Sequence, residues 1–422
     1  MAHRAWRIGL HLKDMLPALC SMRCAVFLYG LFFIVVANQS SAADNELRLQ
    51  DLVNEALANN HEVHIAGYRL EAAGYRVPQA KSLPDPMFMF GYQNEGWKSY
   101  SFGKMPDAQW MFSASQMLPF PGKLALKGEM ASSEAEGLKE FELAARLKTV
   151  ERVKELFFDL LFAHKSLELF RERSALFSRI EDAALARYSS GMGPQQEVLM
   201  AQTEKYMLAE KEEMLKQKVQ SIETMLNATL GRRDVKAPLG KPEVPPHTVI
   251  VETLEQLLSI HVDNSPFVKE KEKMAAAADA KVRMAEREYY PDFTLNAGYF
   301  NRGGGQFMDM WSLTTTINIP IFYRTKQKQA VLEAKTLLSQ ARHEVLAAKS
   351  MLSSAIRDNY SMAKTAERLM ALYREGLIPK AYQDYEAAIA GYMNGKIEAI
   401  TAISRLKALL DFETSYWGQY SE

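Results

Sequence analysis

The side chains that could bind a metal or carry out catalysis are few and scattered. His61 and His64 flank Glu62 at a spacing that places both imidazoles on one face of a helix. Such a pair could hold a cation weakly, but the exposed start of a helix is the simpler interpretation. No serine lies in a nucleophile-elbow sequence. We therefore predict no catalytic residues, no metal site and no cofactor, and a protein that is not an enzyme.

Sulfur chemistry beyond the N-terminal region is limited to methionine. Both cysteines, Cys20 and Cys24, lie in the first 43 residues, so disulfides and thiolate metal sites are not expected after them. The 22 methionines are notable because thioethers bind soft ions such as Cu(I). Most of them, such as Met200, Met207 and Met225, recur at helical spacing. This spacing favours core packing over a methionine relay.

The first 43 residues have the order of a secretory signal. Basic residues precede an apolar run from 24 to 37, and small residues follow as far as Ala43. This run is shorter than the ~20 residues that a membrane-spanning anchor, the alternative interpretation, would need. We predict a signal peptide over residues 1–43. The balance of 51 basic and 51 acidic residues gives no reason to expect a nucleic-acid partner.

The same landmarks occur twice along the chain. A Pro-Asp pair followed by a Gly-Tyr pair occurs at 84–92 and again at 291–299. An apolar residue before proline recurs at 118 and 319, and Tyr-x-x-Gly recurs at 188 and 392. A stretch rich in glycine and proline, 231–246, separates the copies. We therefore predict two repeats, 44–235 and 250–422, joined by a linker over 236–249.

Each repeat predicts one order of elements: an interrupted helix, two strands, a very long helix and a shorter returning helix. Phe293, Leu295, Ala297 and Tyr299 alternate with polar or small residues, which is typical of a strand with one apolar face. The proline-free stretch 122–190 predicts a helix about 105 Å long. A helix of that length belongs to a rod, a coiled coil or a wall.

The four predicted strands cannot close a barrel on their own. An open strand edge is not tolerated in lipid, so membrane strands would have to be pooled from several chains, twelve from three or sixteen from four. Trp97, Trp110, Tyr299 and Trp311 lie in or beside the strands, where interfacial aromatic residues would lie. The alternative is a soluble sheet with tryptophans in its core.

Several motifs, in order and across both repeats, resemble the TolC family of outer-membrane efflux proteins. They are Leu83-Pro-Asp-Pro86, Gly91-Tyr-Gln-Asn94, Gln116-Met-Leu-Pro-Phe-Pro-Gly-Lys-Leu124, Arg187-Tyr-Ser-Ser-Gly191 and Tyr392-Met-Asn-Gly-Lys396. The forms around Leu83 and Pro119 are most similar to the cation-efflux branch, the CusC- and CzcC-like proteins. The resemblance covers the whole chain after the predicted signal.

The resemblance implies a mainly α-helical chain with a β-barrel portion, assembled as a homotrimer. Four strands per chain would share a twelve-stranded barrel in the outer membrane of a Gram-negative bacterium, and long coiled-coil-like helices would form a periplasmic tunnel. The implied partners are outer-membrane lipid, a periplasmic adaptor and an inner-membrane pump of the RND type. The implied function is passive export of heavy-metal cations. The alternatives are a multidrug or small-molecule duct of the same fold, and a periplasmic coiled-coil structural or adaptor protein.

The resemblance also implies two sets of functional residues. Adaptor contact is expected at the helix tips, at Arg187, Tyr188, Gly191, Val198, Leu199, Tyr392, Gly395 and Lys396. A tunnel constriction is expected slightly before the second tip, at Tyr382, Asp384, Tyr385 and Glu386.

Overall fold

The order of elements repeats along the chain in the computed structural model, which describes residues 47–422. The predicted signal peptide lies outside this range. The first set consists of α1 Leu49–Asn59, α2 His61–Lys81, β1 Met87–Gln93, β2 Gln109–Leu118, α3 Lys123–Ser189 and α4 Gln195–Thr229. The second consists of α5 Leu254–His261, α6 Pro266–Arg287, β3 Asp292–Asn301, β4 Met310–Asn318, α7 Gln327–Leu372, α8 Ile378–Met393 and α9 Ala399–Ser421.

The breaks in the first helix of each set have local causes. Asn60 separates α1 from α2, and its side-chain oxygen accepts hydrogen bonds from the backbone of Glu62 at 2.8 Å and Val63 at 3.2 Å. This is the usual cap of a new helix start. Pro266 begins α6, where its missing N–H costs no hydrogen bond. The interruption predicted for the first helix of each repeat is therefore confirmed.

Helix α3 has 67 residues, which corresponds to about 100 Å. It has apolar residues on more than one side and packs in two separate cores. In the first, Val153 and Phe157 lie among buried residues of α1 and α4, including Leu52 and Leu226. In the second, the C-terminal part of α3 packs around Phe177 against α8 and α9. The long predicted helix is therefore confirmed as an element shared by two helical layers.

The corresponding helix of the second set is interrupted. A π-helical turn, Tyr373–Leu377, joins α7 to α8, whose second residue is Pro379. Proline has no N–H to donate, and its ring clashes with the carbonyl of the residue four positions earlier. A widened turn accommodates both effects without ending the helix.

The four strands form one antiparallel sheet in the order β1-β2-β3-β4. Strands β1 and β4 are its edges and have no further partner within residues 47–422. The strands are 7 to 10 residues long, close to the 9–11 residues of a transmembrane strand. No helix in this range is both long and apolar enough to cross a membrane.

The register gives the sheet two chemically different faces. One row across the sheet is Phe90, Phe112, Tyr299 and Trp311, and the row two residues further along is Phe88, Ala114, Ala297 and Leu313. The rows that alternate with them carry mainly serine, threonine, asparagine, glycine and methionine. The predicted alternation of the second strand pair is confirmed. The sequence of β1 is apolar on both of its faces. Its pairing with β2 decides that Phe88 and Phe90 lie on the aromatic face of the sheet and Met87 and Met89 on the polar face.

Candidate functional site

Both helix hairpins end in the same backbone motif. After α3, the amide of Gly191 donates to the carbonyl of Tyr188 at 3.0 Å, and that of Met192 donates to Arg187 at 2.8 Å. After α8, Gly395 donates to Tyr392 at 3.0 Å, and Lys396 donates to Gly391 at 2.9 Å. This pair of bonds is a Schellman motif, which needs a residue with positive φ at its end. Gly191 has a φ of 74° and Gly395 of 69°.

The two tips are joined by Arg187. Its guanidinium donates to the carbonyl of Tyr392 at 2.7 Å and to that of Met192 at 3.3 Å. It also lies 5.0 Å from the centre of the Tyr392 ring, within the range of a cation–π contact. Gly395 leaves room for this arrangement, since a Cβ there would lie 3.2 Å from Nη1 of Arg187.

A buried hydrogen bond closes the same junction. The hydroxyl of Tyr392 donates to the Glu197 carboxylate at 2.9 Å, and Arg187 Nε lies 3.9 Å from that carboxylate. Burial raises the pKa of Tyr392, and the bond to Glu197 raises it further. The phenol therefore remains a donor. Glu197 was not among the predicted tip residues, although its place in the first turn of α4 favours a carboxylate there.

The predicted tip residues divide into a surface and an interior. Tyr188 and Leu199 are exposed, as are Gly191, Gly395 and Lys396. Val198 and Tyr392 are buried in the core behind the tips. Two exposed methionines, Met192 and Met393, belong to the same surface and were not among the predicted residues. The surface of the tips therefore carries exposed apolar and aromatic side chains beside the charge of Lys396.

The predicted constriction residues do not share one environment. Tyr385 is fully buried, and its hydroxyl makes no hydrogen bond to any described residue. Tyr382 is exposed, and Glu386 is partly buried. Asp384 is exposed and lies 3.2 Å from Arg405 of α9. Tyr385 therefore lies in the interior of the protomer, and only Tyr382, Asp384 and Glu386 reach the surface of the protomer.

A buried lysine marks the place where the sheet meets the long helices. Nζ of Lys123 contacts Asp292 at 2.9 Å and Glu288 at 3.2 Å, and it donates to the carbonyl of Tyr290 at 3.1 Å. Asp292 also accepts the amide of Phe120 at 2.8 Å. The first residue of α3 is thus tied to the entry of β3, which joins the two repeats.

Metal-binding side chains are sparse among the described residues, in which no group of three histidine, cysteine, aspartate or glutamate residues could hold an ion. His61 and His64 are both exposed on α2. What the geometry provides is a two-faced sheet, long helices and two joined tips. Such parts are suited to a wall and a docking surface.

Comparison with known proteins assigns the chain to a family. The family model described as "Outer membrane efflux protein" matches residues 52–232 and 257–403. These ranges contain both tips and all four strands. The chain belongs to the outer membrane efflux protein family.

Two curated relatives of this efflux protein match most of its length. The "Cation efflux system protein CusC" of Escherichia coli strain K12 is 22% identical over 372 residues, covering 79% of this chain and 78% of the relative. The "Probable outer membrane lipoprotein SilC" of Salmonella typhimurium is 22% identical over 364 residues, covering 78% and 76%.

Solved structures of similar fold include those of VceC and CusC. The outer membrane protein VceC of Vibrio cholerae has a TM-score of 0.75 at 18% identity, covering 88% of this chain and 92% of that one. CusC has a TM-score of 0.73 at 16% identity, covering 90% and 89%. The TolC-like fold predicted from the sequence is confirmed, and so is its assignment to an outer-membrane efflux protein.

Proposed function

We propose that this efflux protein is the outer-membrane channel of a tripartite system that exports metal cations. The observation that carries this proposal is the sheet, which has an aromatic and aliphatic face, a polar face and two open edges, and continues into helices about 100 Å long. A sheet of this kind suits lipid on one side and water on the other. The channel performs no chemistry itself and conducts what its partners deliver.

Open edges at β1 and β4 support assembly from several chains. In lipid, an unpaired edge would leave backbone N–H and C=O groups without partners, at several kcal/mol each. Pairing β4 of one protomer with β1 of the next removes both edges. Three protomers give twelve strands, within the range of known barrels. We therefore propose a homotrimer, with the long helices of three chains forming the tunnel.

The name of one curated relative supports a cation as cargo, since the Escherichia coli protein is named for cation efflux. A wide water-filled lumen selects poorly, so the lumen itself does not decide between a cation and the multidrug alternative. Selection belongs mainly to the inner-membrane pump in this proposal, and the adaptor links that pump, of the RND type, to the tips.

A deletion strain tests the cargo. Cells lacking the gene should lose tolerance to one or more of copper, silver, zinc, cobalt and cadmium, and the intact gene on a plasmid should restore it. Unchanged metal tolerance together with a new sensitivity to drugs or dyes would overturn the cation proposal and favour the multidrug alternative.

The tip surface supports the proposed site of adaptor contact. Leu199, Tyr188 and Lys396 are exposed on it, and Arg187 with Tyr392 holds it in shape from inside. Gly191 and Gly395 supply the turns. Val198 belongs to the supporting core. The proposed constriction lies nearby on α8 and is carried by Tyr382, Asp384 and Glu386.

Site-directed crosslinking tests the tip contact without interference, because residues 47–422 contain no cysteine. Leu199→Cys should form a crosslink to the adaptor. Tyr206→Cys is the matched control, since Tyr206 is exposed on the same face of α4 about 10 Å further from the tip. Equal crosslinking at both positions, or at neither, would contradict contact at the tip.

A further inference from the structure

Methionines collect on the polar face of the sheet. The register places Met87 and Met89 of β1, Met111 and Met117 of β2 and Met310 of β4 on the face that carries the serines and threonines. These five residues are named the methionine stripe. Their strand neighbours on the opposite face, such as Phe88, Phe90 and Phe112, are aromatic.

Four members of the stripe are close neighbours across β1 and β2. Met111 is paired with Gly91, and Met89 is two residues from Gly91 on the same strand. Such diagonal positions lie within reach of long side chains. The space over Gly91 is used by Met111, whose methyl group would lie 3.4 Å from a Cβ built there. The glycine thus allows this thioether to lie flat along the face.

Core packing does not account for the stripe. Met87, Met89 and Met310 are 66%, 56% and 45% exposed. Methionine that fills gaps in a core is buried. The partners of these residues across the sheet are mainly small and polar, with Phe300 as the aromatic exception. Exposed thioethers beside serine and threonine side chains do not fill a core, but they are suitable ligands for soft cations.

We propose that the methionine stripe is a binding path for soft monovalent cations, Cu(I) or Ag(I), along the inner wall of the barrel. The proposal rests on the proposed function, because the polar face lines the lumen only if the apolar face meets lipid. Neutral thioethers bind these ions without the strong electrostatic attraction that hard cations would also feel. Several weak, similar sites in series suit conduction, which requires an ion to leave as readily as it enters.

Silver binding to the purified, detergent-solubilised trimer tests the stripe. Silver nitrate in chloride-free buffer is the probe, and calorimetry is the measurement. A variant with Met87→Leu, Met89→Leu and Met111→Leu should bind Ag(I) at least tenfold more weakly than the unmodified protein. Met207, Met214 and Met225 of α4 are also exposed, so the core packing expected for Met207 and Met225 is not found in the protomer. The matched control replaces these three residues, with Met207→Leu, Met214→Leu and Met225→Leu, and should bind silver normally. Equal binding by all three proteins, or none by the unmodified one, would overturn the proposal.

Methionine oxidation gives a second measurement that needs no variant. Ag(I) should slow the oxidation of Met87 and Met89 by hydrogen peroxide, followed by mass spectrometry, and should leave that of Met207 and Met214 unchanged. Equal protection at all four, or at none, would contradict the stripe.

The strain that tests the proposed function separates the two failures. If the intact gene restores metal tolerance but the stripe does not bind silver selectively, the stripe proposal fails and the cation channel stands. If the intact gene restores no tolerance, the proposed cargo itself is wrong.

Discussion

Equivalent residues of the two repeats occupy opposite environments at the tips. Tyr188 and Tyr392 hold the same position in the two Schellman motifs, yet Tyr188 is 45% exposed and Tyr392 is 0% exposed. The preceding residue explains the difference. In the first tip it is Arg187, whose guanidinium reaches across to the second tip and lies over the ring of Tyr392. In the second tip it is Gly391, which has no side chain that could cover Tyr188 in return. The two similar turns are thus joined as an asymmetric pair.

Removing the arginine should loosen the tips. Arg187→Ala loses charge-assisted hydrogen bonds to two carbonyls and leaves Glu197 without its cation, at a cost of about 2 kcal/mol. We expect faster proteolytic cleavage in the exposed 190–194 turn and a higher single-channel conductance. Arg179→Ala, an exposed position two turns earlier on α3, is the control. Identical cleavage and conductance in both variants would show that Arg187 does not hold the tips.

The two buried tyrosines of α8 should respond differently to loss of the hydroxyl. Tyr392→Phe removes a bond to Glu197 and should lower stability by about 1 kcal/mol. Tyr385→Phe removes a buried hydroxyl without a partner among residues 47–422, so stability should be unchanged or higher. Thermal unfolding in detergent measures both. A changed single-channel conductance in the Tyr385 variant would instead support the original prediction that Tyr385 belongs to the constriction.

At the scale of elements, the junction between strands and helices depends on charge. The start of α3 and the start of β3 come from different repeats, and Lys123 with Asp292 and Glu288 connects them. Stacked rings of Phe120 and Tyr290, with centres 4.5 Å apart, lie at the same junction. The sheet is therefore fixed to the helices by a polar contact as well as by packing.

Replacing the buried lysine tests this junction. Lys123→Met keeps the apolar stem but leaves two carboxylates without their cation, and it should lower the free energy of unfolding by about 3 kcal/mol. Lys127→Met, exposed one turn later on α3, should change it little. The measurement is thermal unfolding of both variants in detergent, followed by circular dichroism. Equal melting of the two variants would contradict a structural role for Lys123.

At the scale of the whole molecule, the sheet needs contacts that a single protomer does not provide. Its aromatic face carries large exposed side chains, among them Phe90, Trp311 and Leu313. Water would make that exposure unfavourable, while lipid makes it favourable. The open edges also point beyond the protomer, because only further strands can pair with the free backbone N–H and C=O groups of β1 and β4.

Neighbouring positions of β4 should therefore tolerate charge differently. Leu313→Arg places a charge on the apolar face and should cost about 2–4 kcal/mol near the centre of a bilayer. Thr314→Arg places it on the polar face and should allow assembly. The amount of trimer in the outer-membrane fraction measures the difference. Equal yields would mean that the apolar face does not meet lipid.

Local signals in the sequence determined most of the elements. Asn60 and Pro266 start helices through capping and a fixed φ, Gly191 and Gly395 end them through positive φ, and period-two alternation identified the strands. Each of these depends on a few neighbouring residues, and so it can be recognised without knowledge of the fold. The repeat boundaries and the linker stay predictions.

Long-range contacts were decided only by the tertiary structure. The sequence could not show that Arg187 meets Tyr392, 205 residues away, or that Tyr385 is buried while Asp384 reaches Arg405. It also did not show that the methionines of β1 and β2 share a face with serines, because that depends on strand register. Such features follow from how distant elements pack against each other. The free energy of that packing depends on both elements together, so neither segment of sequence reveals it alone.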